Sequence, residues 1–375
     1  MKRIIVLFTV SICLLIFSPN TFADEFSDEY KKIYENSNAI EIYEELPEET
    51  KEIFDSLGLD FSDYESINNL TYTDALKTFI GLLGNQKNAA IKGGILIITI
   101  TLIASAFSGL FENRLDKNFN TIEYITVSAI IGSVFYSLID FINLLDKSIS
   151  AFSGIIAVFI PIFCGILIAL GKIGSSALTS GMLLTLSEII TQVINLIIVP
   201  IIKIGFAFGV CSSVAPGLNV NKMVGLFRKM ATFILSFCLS VFLFVFGGQS
   251  FITISADNAA TKTAKFFVGS AVPIIGSAVS ESLTAVRSCF SVLKSSVAVY
   301  SVFAVLLIFL PILLQTVLWK FSLFVSEAIV EITGNNSVLS LIENINKTLS
   351  FFLVIIISII IMFIFSVAVI SLGVS

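Results

Sequence analysis

The chain has 375 residues, of which 56% are hydrophobic and only 13% are charged, and its formal net charge is −5. This composition excludes an ordinary water-soluble globular protein, in which about a quarter of the residues carry charge. The sequence contains no histidine, which excludes Ser-His and Cys-His catalytic pairs and histidine-ligated metal sites.

Residues 1–23 have the pattern of a secretory signal peptide. Lys2 and Arg3 precede the apolar stretch Ile4–Phe17, and a small-residue cleavage site ends at Ala23. An uncleaved membrane anchor is the alternative. In both cases the positive end stays inside, so we expect the residues that follow to be exported.

Residues 24–92 form an acidic extracytoplasmic region. Its first part, residues 24–75, holds 16 acidic residues and only three lysines, and such a surface repels the phosphates of nucleic acids. Pro47 and Gly58 predict a short helix over Glu48–Leu57. The region is therefore either a solvated, partly ordered tail or a small helical docking element.

Residues 93–375 predict an all-α polytopic membrane bundle of about seven or eight spans. Seven apolar runs reach or approach the roughly 20 residues that cross the hydrocarbon of a bilayer. Polar or basic segments separate the runs, and the first three connections agree with the positive-inside rule. The runs are Gly93–Phe111, Tyr124–Leu145, Ile149–Leu170, Ala177–Val199, Ala231–Thr253, Val297–Trp319 and Leu349–Leu372.

The connections between these spans are predicted at polar or proline-containing positions. The second and third spans are expected to meet at Asp146-Lys147, and Lys320–Thr348 is expected to separate the last two. Phe266–Ser296 is broken enough to form a re-entrant or interfacial helical pair. The expected kink or re-entrant positions are Pro161, Pro200, Pro273, Gly276 and Pro311.

The apolar stretch Ser175–Pro216 allows two interpretations. It is either one span followed by a tilted segment, or a hairpin of two spans that turns at Pro200-Ile201. We favour the hairpin, because two crossings place the basic, amphipathic stretch Asn219–Met230 on the inner surface.

No residue pattern in the sequence indicates catalysis or a cofactor. The chain lacks a phosphate-binding loop, and its cysteines stand singly without the spacing of a metal site or a disulfide framework. We therefore expect no catalytic residue, no metal and no cofactor. The cysteines are Cys13, Cys164, Cys211, Cys238 and Cys289.

A stripe of polar and small residues on the fourth span is the best functional signal. Gly181, Thr185, Glu188, Gln192 and Asn195 follow one another at steps of four and three residues, so all five share one helix face. An ionised Glu188 facing lipid would cost several kcal/mol. The face therefore either lines a conduit or provides polar contacts that hold helices together. Secondary candidates on other spans are Asp140, Gln249 and Gln315.

Two stretches of the chain resemble a known family. One covers residues 160–200, and the other covers residues 267–295 with Pro273–Gly276 in it. In this order they resemble the stage III sporulation protein AE family of endospore-forming bacteria. That family often has Asp where Glu281 stands and Asn where Ser295 stands, so no role is assigned to Glu281.

The resemblance implies a function that composition does not reveal. Members of the family belong to an eight-protein membrane assembly of the mother cell, which includes a secretion-type ATPase and ring-forming proteins. The assembly meets a forespore membrane partner and supports forespore maintenance and late gene expression. By this resemblance the chain is a multi-pass, non-enzymatic channel component in the mother-cell membrane around the forespore. Its acidic region would face the intermembrane space.

Two alternatives to a channel component stay open at this stage. The chain could be an assembly scaffold of the complex that conducts nothing, or a stand-alone secondary transporter. The expected partners are the other membrane proteins of the assembly and the lipid bilayer, with no nucleic acid.

Overall fold

The computed structural model describes residues 40–59, 72–111, 121–169, 175–214, 222–246 and 276–372. Within these ranges every regular element is helical and no strand occurs. The all-α prediction is therefore confirmed. The predicted signal peptide, Gln249 and Pro273 lie outside the described residues.

The described chain forms two short helices followed by long apolar ones. Six helical segments are long and apolar enough to cross a membrane, which confirms a polytopic membrane protein. The helices are α1 (Ile40–Glu44), α2 (Glu48–Ser56), α3 (Tyr72–Phe111), α4 (Thr121–Ala169), α5 (Ser175–Val193), a π-helical turn (Ile194–Ile198), α6 (Val199–Val214), α7 (Lys222–Phe246), α8 (Gly276–Thr333) and α9 (Asn336–Leu372).

The long helices alternate in direction through the bundle. Helices α3, α5–α6 and α8 run one way, whereas α4, α7 and α9 run the other way. Antiparallel neighbours are α4 with α5–α6, through Cys164 with Gly181 and Asp146 with Lys203, and α8 with α9, through Lys320 with Ser350. Parallel neighbours are α4 with α9, through Phe141 with Phe352 and Phe152 with Phe363, and α3 with α8, through Ala90 with Ser322 and Gly94 with Ser326. Helices α7 and α9 are also parallel, through Arg228 with Asn344 and Phe246 with Phe365.

Helix α4 is continuous, so the predicted turn at Asp146-Lys147 is wrong. The helix has 49 residues and is about 73 Å long, more than twice the roughly 30 Å of hydrocarbon in a bilayer. Asp146 forms an ion pair with Lys203 of α6 instead of marking a loop. Because Asp146 pairs with a lysine on a neighbouring helix, it can lie in the middle of a continuous helix, and no loop is needed to expose it to water.

The predicted hairpin at Pro200-Ile201 is also wrong, because α5, the π-helical turn and α6 form one continuous segment. A proline ring clashes with the carbonyl four residues earlier in an α-helix and removes one hydrogen bond. The π-helical turn at Ile194–Ile198 ends two residues before Pro200 and includes the residue four positions before it. Its wider hydrogen-bonding pattern accommodates the proline without ending the helix. With α4 and α5–α6 each continuous, the described residues contain six candidate spans, compared with the seven or eight predicted for the chain.

Helix α8 corrects two further predictions. Gly276 is its first residue, and it continues without interruption to Thr333, so residues 276–296 are not part of a separate helical pair. The predicted connection Lys320–Thr348 is mostly helical as well. The chain reverses only at Gly334-Asn335, where Gly334 has a φ of +70° and the Asn335 side chain accepts a hydrogen bond from the Val338 N–H.

The turn at Gly334 leads to a test of the hairpin formed by α8 and α9. Replacing Gly334 with Ala should lower the free energy of unfolding by about 1 kcal/mol, because side chains disfavour a positive φ. Thermal unfolding of the purified protein in detergent would measure this change. Gly132→Ala is the control: a Cβ there meets no atom within 4 Å, so a gain of up to about 1 kcal/mol is expected. Equal effects of the two substitutions would contradict the role of Gly334.

Helices α3 and α8 pack closely because α3 has two adjacent glycines. A Cβ on Gly93 would lie 2.8 Å from Cζ3 of the fully buried Trp319. Ser322 donates a hydrogen bond to the Ala90 carbonyl at 2.7 Å, beside Gly94. The glycine pair therefore permits a backbone approach that larger residues would prevent.

The short acidic helices fold onto the bundle. Pro47 precedes α2 and Gly58 follows it with a φ of +66°, which confirms the helix predicted over Glu48–Leu57. Ile42 and Phe54 are fully buried, and α1 and α2 contact α4, α3 and α8. This part of the acidic region is thus a packed helical element.

Candidate functional site

The predicted polar stripe lies along the edge of the interface between α4 and α5, which we call the polar seam. Thr185 and Gln192 are exposed, whereas Gly181, Glu188 and Asn195 are half-buried. The stripe therefore borders a helix contact on one side and is open on the other.

Glu188 is the centre of a hydrogen-bonded cluster in the polar seam. The Ser153 hydroxyl of α4 donates to Glu188 Oε1 at 2.6 Å. The Gln192 amide donates to the same oxygen and to Ser153 Oγ, both at 2.8 Å. Three side chains from two helices are thus connected to one another, as expected for polar groups in an apolar environment.

The two carboxylate oxygens of Glu188 have different surroundings. Oε1 accepts two hydrogen bonds, whereas Oε2 is buried without a hydrogen-bond partner in the structure. A buried polar atom without a partner is costly. Glu188 therefore has unused hydrogen-bonding capacity inside the seam.

The ends of the stripe have distinct local structures. A Cβ on Gly181 would lie 3.3 Å from Cys164 Sγ, so glycine allows α5 to approach α4 closely. At the other end, Asn195 belongs to the π-helical turn. Turns of this type are frequent at functional sites, and sequence periodicity alone gave no signal for it.

The ion pair between Asp146 and Lys203 extends the polar seam and was missed from the sequence. The Lys203 ammonium contacts Asp146 Oδ2, and both side chains are about one third exposed. Asp146 lies seven residues before Ser153, so the two share one face of α4. The other oxygen, Asp146 Oδ1, is buried without a partner in the structure. An Asp and a Lys in separate apolar stretches were the available signal, but only the fold shows that they meet.

Asp140 and Gln315, the two secondary candidates that the structure describes, do not join the polar seam. Asp140 is exposed on α4, two turns before the seam begins. Gln315 is only 6% exposed on α8, and its Oε1 has no partner in the structure. Pro161 and Pro311 lie inside continuous helices.

A second polar contact crosses the centre of the bundle. Ser187 of α5 and Ser366 of α9 are both fully buried, and their hydroxyl oxygens are 3.0 Å apart. Each hydroxyl also lies within hydrogen-bonding distance of a backbone carbonyl of its own helix. Because a hydroxyl has a single proton, one serine donates to the other, and the accepting serine donates to its own carbonyl. Small hydroxyl pairs of this kind hold membrane helices together. In the described part of the chain, no group of three or more Cys, Asp or Glu side chains is arranged to bind a metal ion.

Comparison with known proteins shows which family the chain resembles. A family model described as stage III sporulation protein AE matches residues 62–373. The stage III sporulation protein AE of Bacillus subtilis (strain 168) is 23% identical over 266 residues, which are 70% of this chain and 65% of that relative. No solved structure matches the chain.

Proposed function

The chain belongs to the stage III sporulation protein AE family, and from this premise we propose that it is a non-enzymatic component of a sporulation channel complex. In this proposal it lies in the mother-cell membrane and works with other membrane proteins of the stage III assembly. These include a secretion-type ATPase, ring-forming proteins and a partner in the forespore membrane. The complex would maintain the forespore and permit its late gene expression.

The distribution of charge supports one orientation of the bundle. Lys222, Arg228 and Lys229 lie at the start of α7, near the turn between α8 and α9. The acidic helices α1 and α2 pack near the start of α3, where Ser56 contacts Thr78, and that is the opposite end of the bundle. By the positive-inside rule, the basic end is cytoplasmic and the acidic end faces the intermembrane space.

The observation that carries the conduit proposal is the polar seam around Glu188. Contact with lipid is energetically unfavourable for an acidic side chain that has an unpaired buried oxygen and lies next to an exposed amide. The same arrangement becomes favourable if the open side of the seam borders water in the assembled complex. We propose that Thr185, Glu188 and Gln192 contribute to the wall of that conduit.

Replacing Glu188 and Gln192 with Leu tests this proposal. We expect the variant to reach the membrane but to reduce small-molecule passage into the forespore and spore formation by about tenfold or more, because the wall loses its polar groups. Ile189→Leu, an exposed apolar position between them, is the matched control and should behave as the unaltered protein. Normal sporulation and passage in the double variant would remove the seam from the mechanism.

The main rival is an assembly scaffold, which the hydrogen bonds between Ser153, Glu188 and Gln192 favour. Cysteine accessibility separates the two functions in a background from which the native cysteines are removed. A conduit predicts that a membrane-impermeant thiol reagent modifies Thr185→Cys and Gln192→Cys but leaves Ile189→Cys unmodified. A scaffold predicts that all three positions remain unmodified in the assembled complex.

A further inference from the structure

A polar cleft lies at the basic end of the bundle, between α7 and α9. Its volume is about 260 Å³ and its lining includes Arg228, Glu343, Asn344 and Lys347. We propose that this cleft binds the phosphodiester headgroup of a membrane phospholipid. The proposal concerns a site distant from the polar seam, and it does not depend on conduction.

Arg228 is held at the wall of the cleft by hydrogen bonds to Asn344. Its Nη2 donates to the Asn344 carbonyl at 3.4 Å and to Asn344 Oδ1 at 3.3 Å. Asn344 is itself fixed, because its Nδ2 donates to the Gly209 carbonyl at 3.3 Å. A guanidinium restrained in this way loses little side-chain freedom on binding, and it can donate to phosphate oxygens through its N–H groups other than those of Nη2.

The remaining charges of the cleft favour an anion. Lys347 forms an ion pair with Glu343 at 2.5 Å, and both side chains are more than half exposed. The lining therefore carries two positive charges and one negative charge. Lys222 and Lys229 are exposed on the same two turns of α7 and add positive potential. Glu343 competes with a phosphate for Lys347, so it weakens anion binding.

The surroundings favour a lipid over a free phosphate ion. Leu239 lies on the face of α7 that carries Arg228, eleven residues later, and Val354 lies on the face of α9 that carries Lys347, seven residues later. Val354 is half exposed. Beyond them, Phe246 stacks on Phe365 with ring centroids 5.2 Å apart. An acyl chain can therefore lie along the apolar surface of these two helices while its headgroup occupies the cleft, as in other basic pockets between membrane helices.

The experiment measures thermal unfolding of the full chain in detergent during titration with dihexanoyl phosphatidylglycerol. A ligand that binds only the folded state raises the transition temperature with concentration. We expect Arg228→Gln to weaken the apparent affinity about tenfold, as the loss of a charge-assisted contact implies. Glu343→Gln should strengthen binding, because it frees Lys347. Lys229→Gln, outside the lining, is the matched control and should change the affinity by less than about threefold.

Each result of this titration decides the proposal. If Arg228→Gln unfolds, Lys347→Gln provides the same test at an exposed position. Equal responses of Arg228→Gln or Lys347→Gln and the control would overturn the site. Inorganic phosphate at the same concentrations should have little effect, and stabilisation equal to that by the lipid would overturn the assignment to a phospholipid.

Discussion

Replacing Lys203 with Met is expected to destabilise the bundle by about 2 kcal/mol, because Asp146 would remain charged and unpaired between apolar helices. Asp146 Oδ1 already has no partner in the structure, so the carboxylate cannot easily compensate. Both side chains are about one third exposed, which keeps the effect below that of a fully buried pair. Equilibrium unfolding in mixed micelles would measure the change.

A double-mutant cycle isolates the interaction between these two residues. Asp146→Leu combined with Lys203→Met should recover stability to within about 1 kcal/mol of the unaltered protein, since no charge is left without a partner. Lys147→Met is the control on the adjacent exposed residue and should have little effect. If the Lys203 variant and the double variant are equally unstable, the ion pair has no part in joining α4 to α6.

Replacing Gly93 with Ala should disrupt the contact between α3 and α8. The new methyl group would overlap the indole of Trp319, which is fully buried. Overpacking of this kind costs about 1–3 kcal/mol. Trp319 is the single tryptophan of the chain, so its fluorescence reports on this contact directly. A shift of the emission to longer wavelength and stronger quenching by acrylamide are expected.

Gly81→Ala is the matched control for this substitution, because it lies on the same helix. A Cβ at Gly81 meets no atom within 4 Å, so the change should leave the emission unaltered. Its helix propensity should stabilise the protein by up to about 1 kcal/mol. An unshifted Trp319 spectrum in the Gly93 variant would show that α3 and α8 do not pack as described.

The sequence predicted the fold class well and the helix boundaries less well. Apolar runs of membrane length identify helices reliably, and Pro47 and Gly58 gave the correct limits of α2. Two of the failures occurred at Asp146-Lys147 and Pro200-Ile201. A polar pair between two apolar runs is compatible with a loop or with a lateral ion pair, and only the position of Lys203 decides between them. A proline is likewise compatible with the end of a helix or with a continuous helix, as Pro161 and Pro311 show inside α4 and α8.

The candidate site shows the same division between local and distant information. Helical periodicity placed Glu188 and Gln192 on one face, and the structure shows them in one hydrogen-bonded cluster. Their partner Ser153 lies 35 residues earlier than Glu188 on another helix, and periodicity within one helix cannot reveal such a partner. The cleft around Arg228 was missed for a similar reason, because Asn344 and Lys347 are more than a hundred residues away in the chain.

The alternating directions of the long helices also have an electrical consequence. Each helix carries a backbone dipole along its axis, and three dipoles in the bundle oppose the other three. Over a hydrocarbon layer that all six described helices cross, the three dipoles of each direction have equal lengths and cancel, so a voltage across that layer exerts little net force on the backbone of these helices. In the described part of the chain, a response to membrane potential therefore arises from the ionised side chains and not from the backbone.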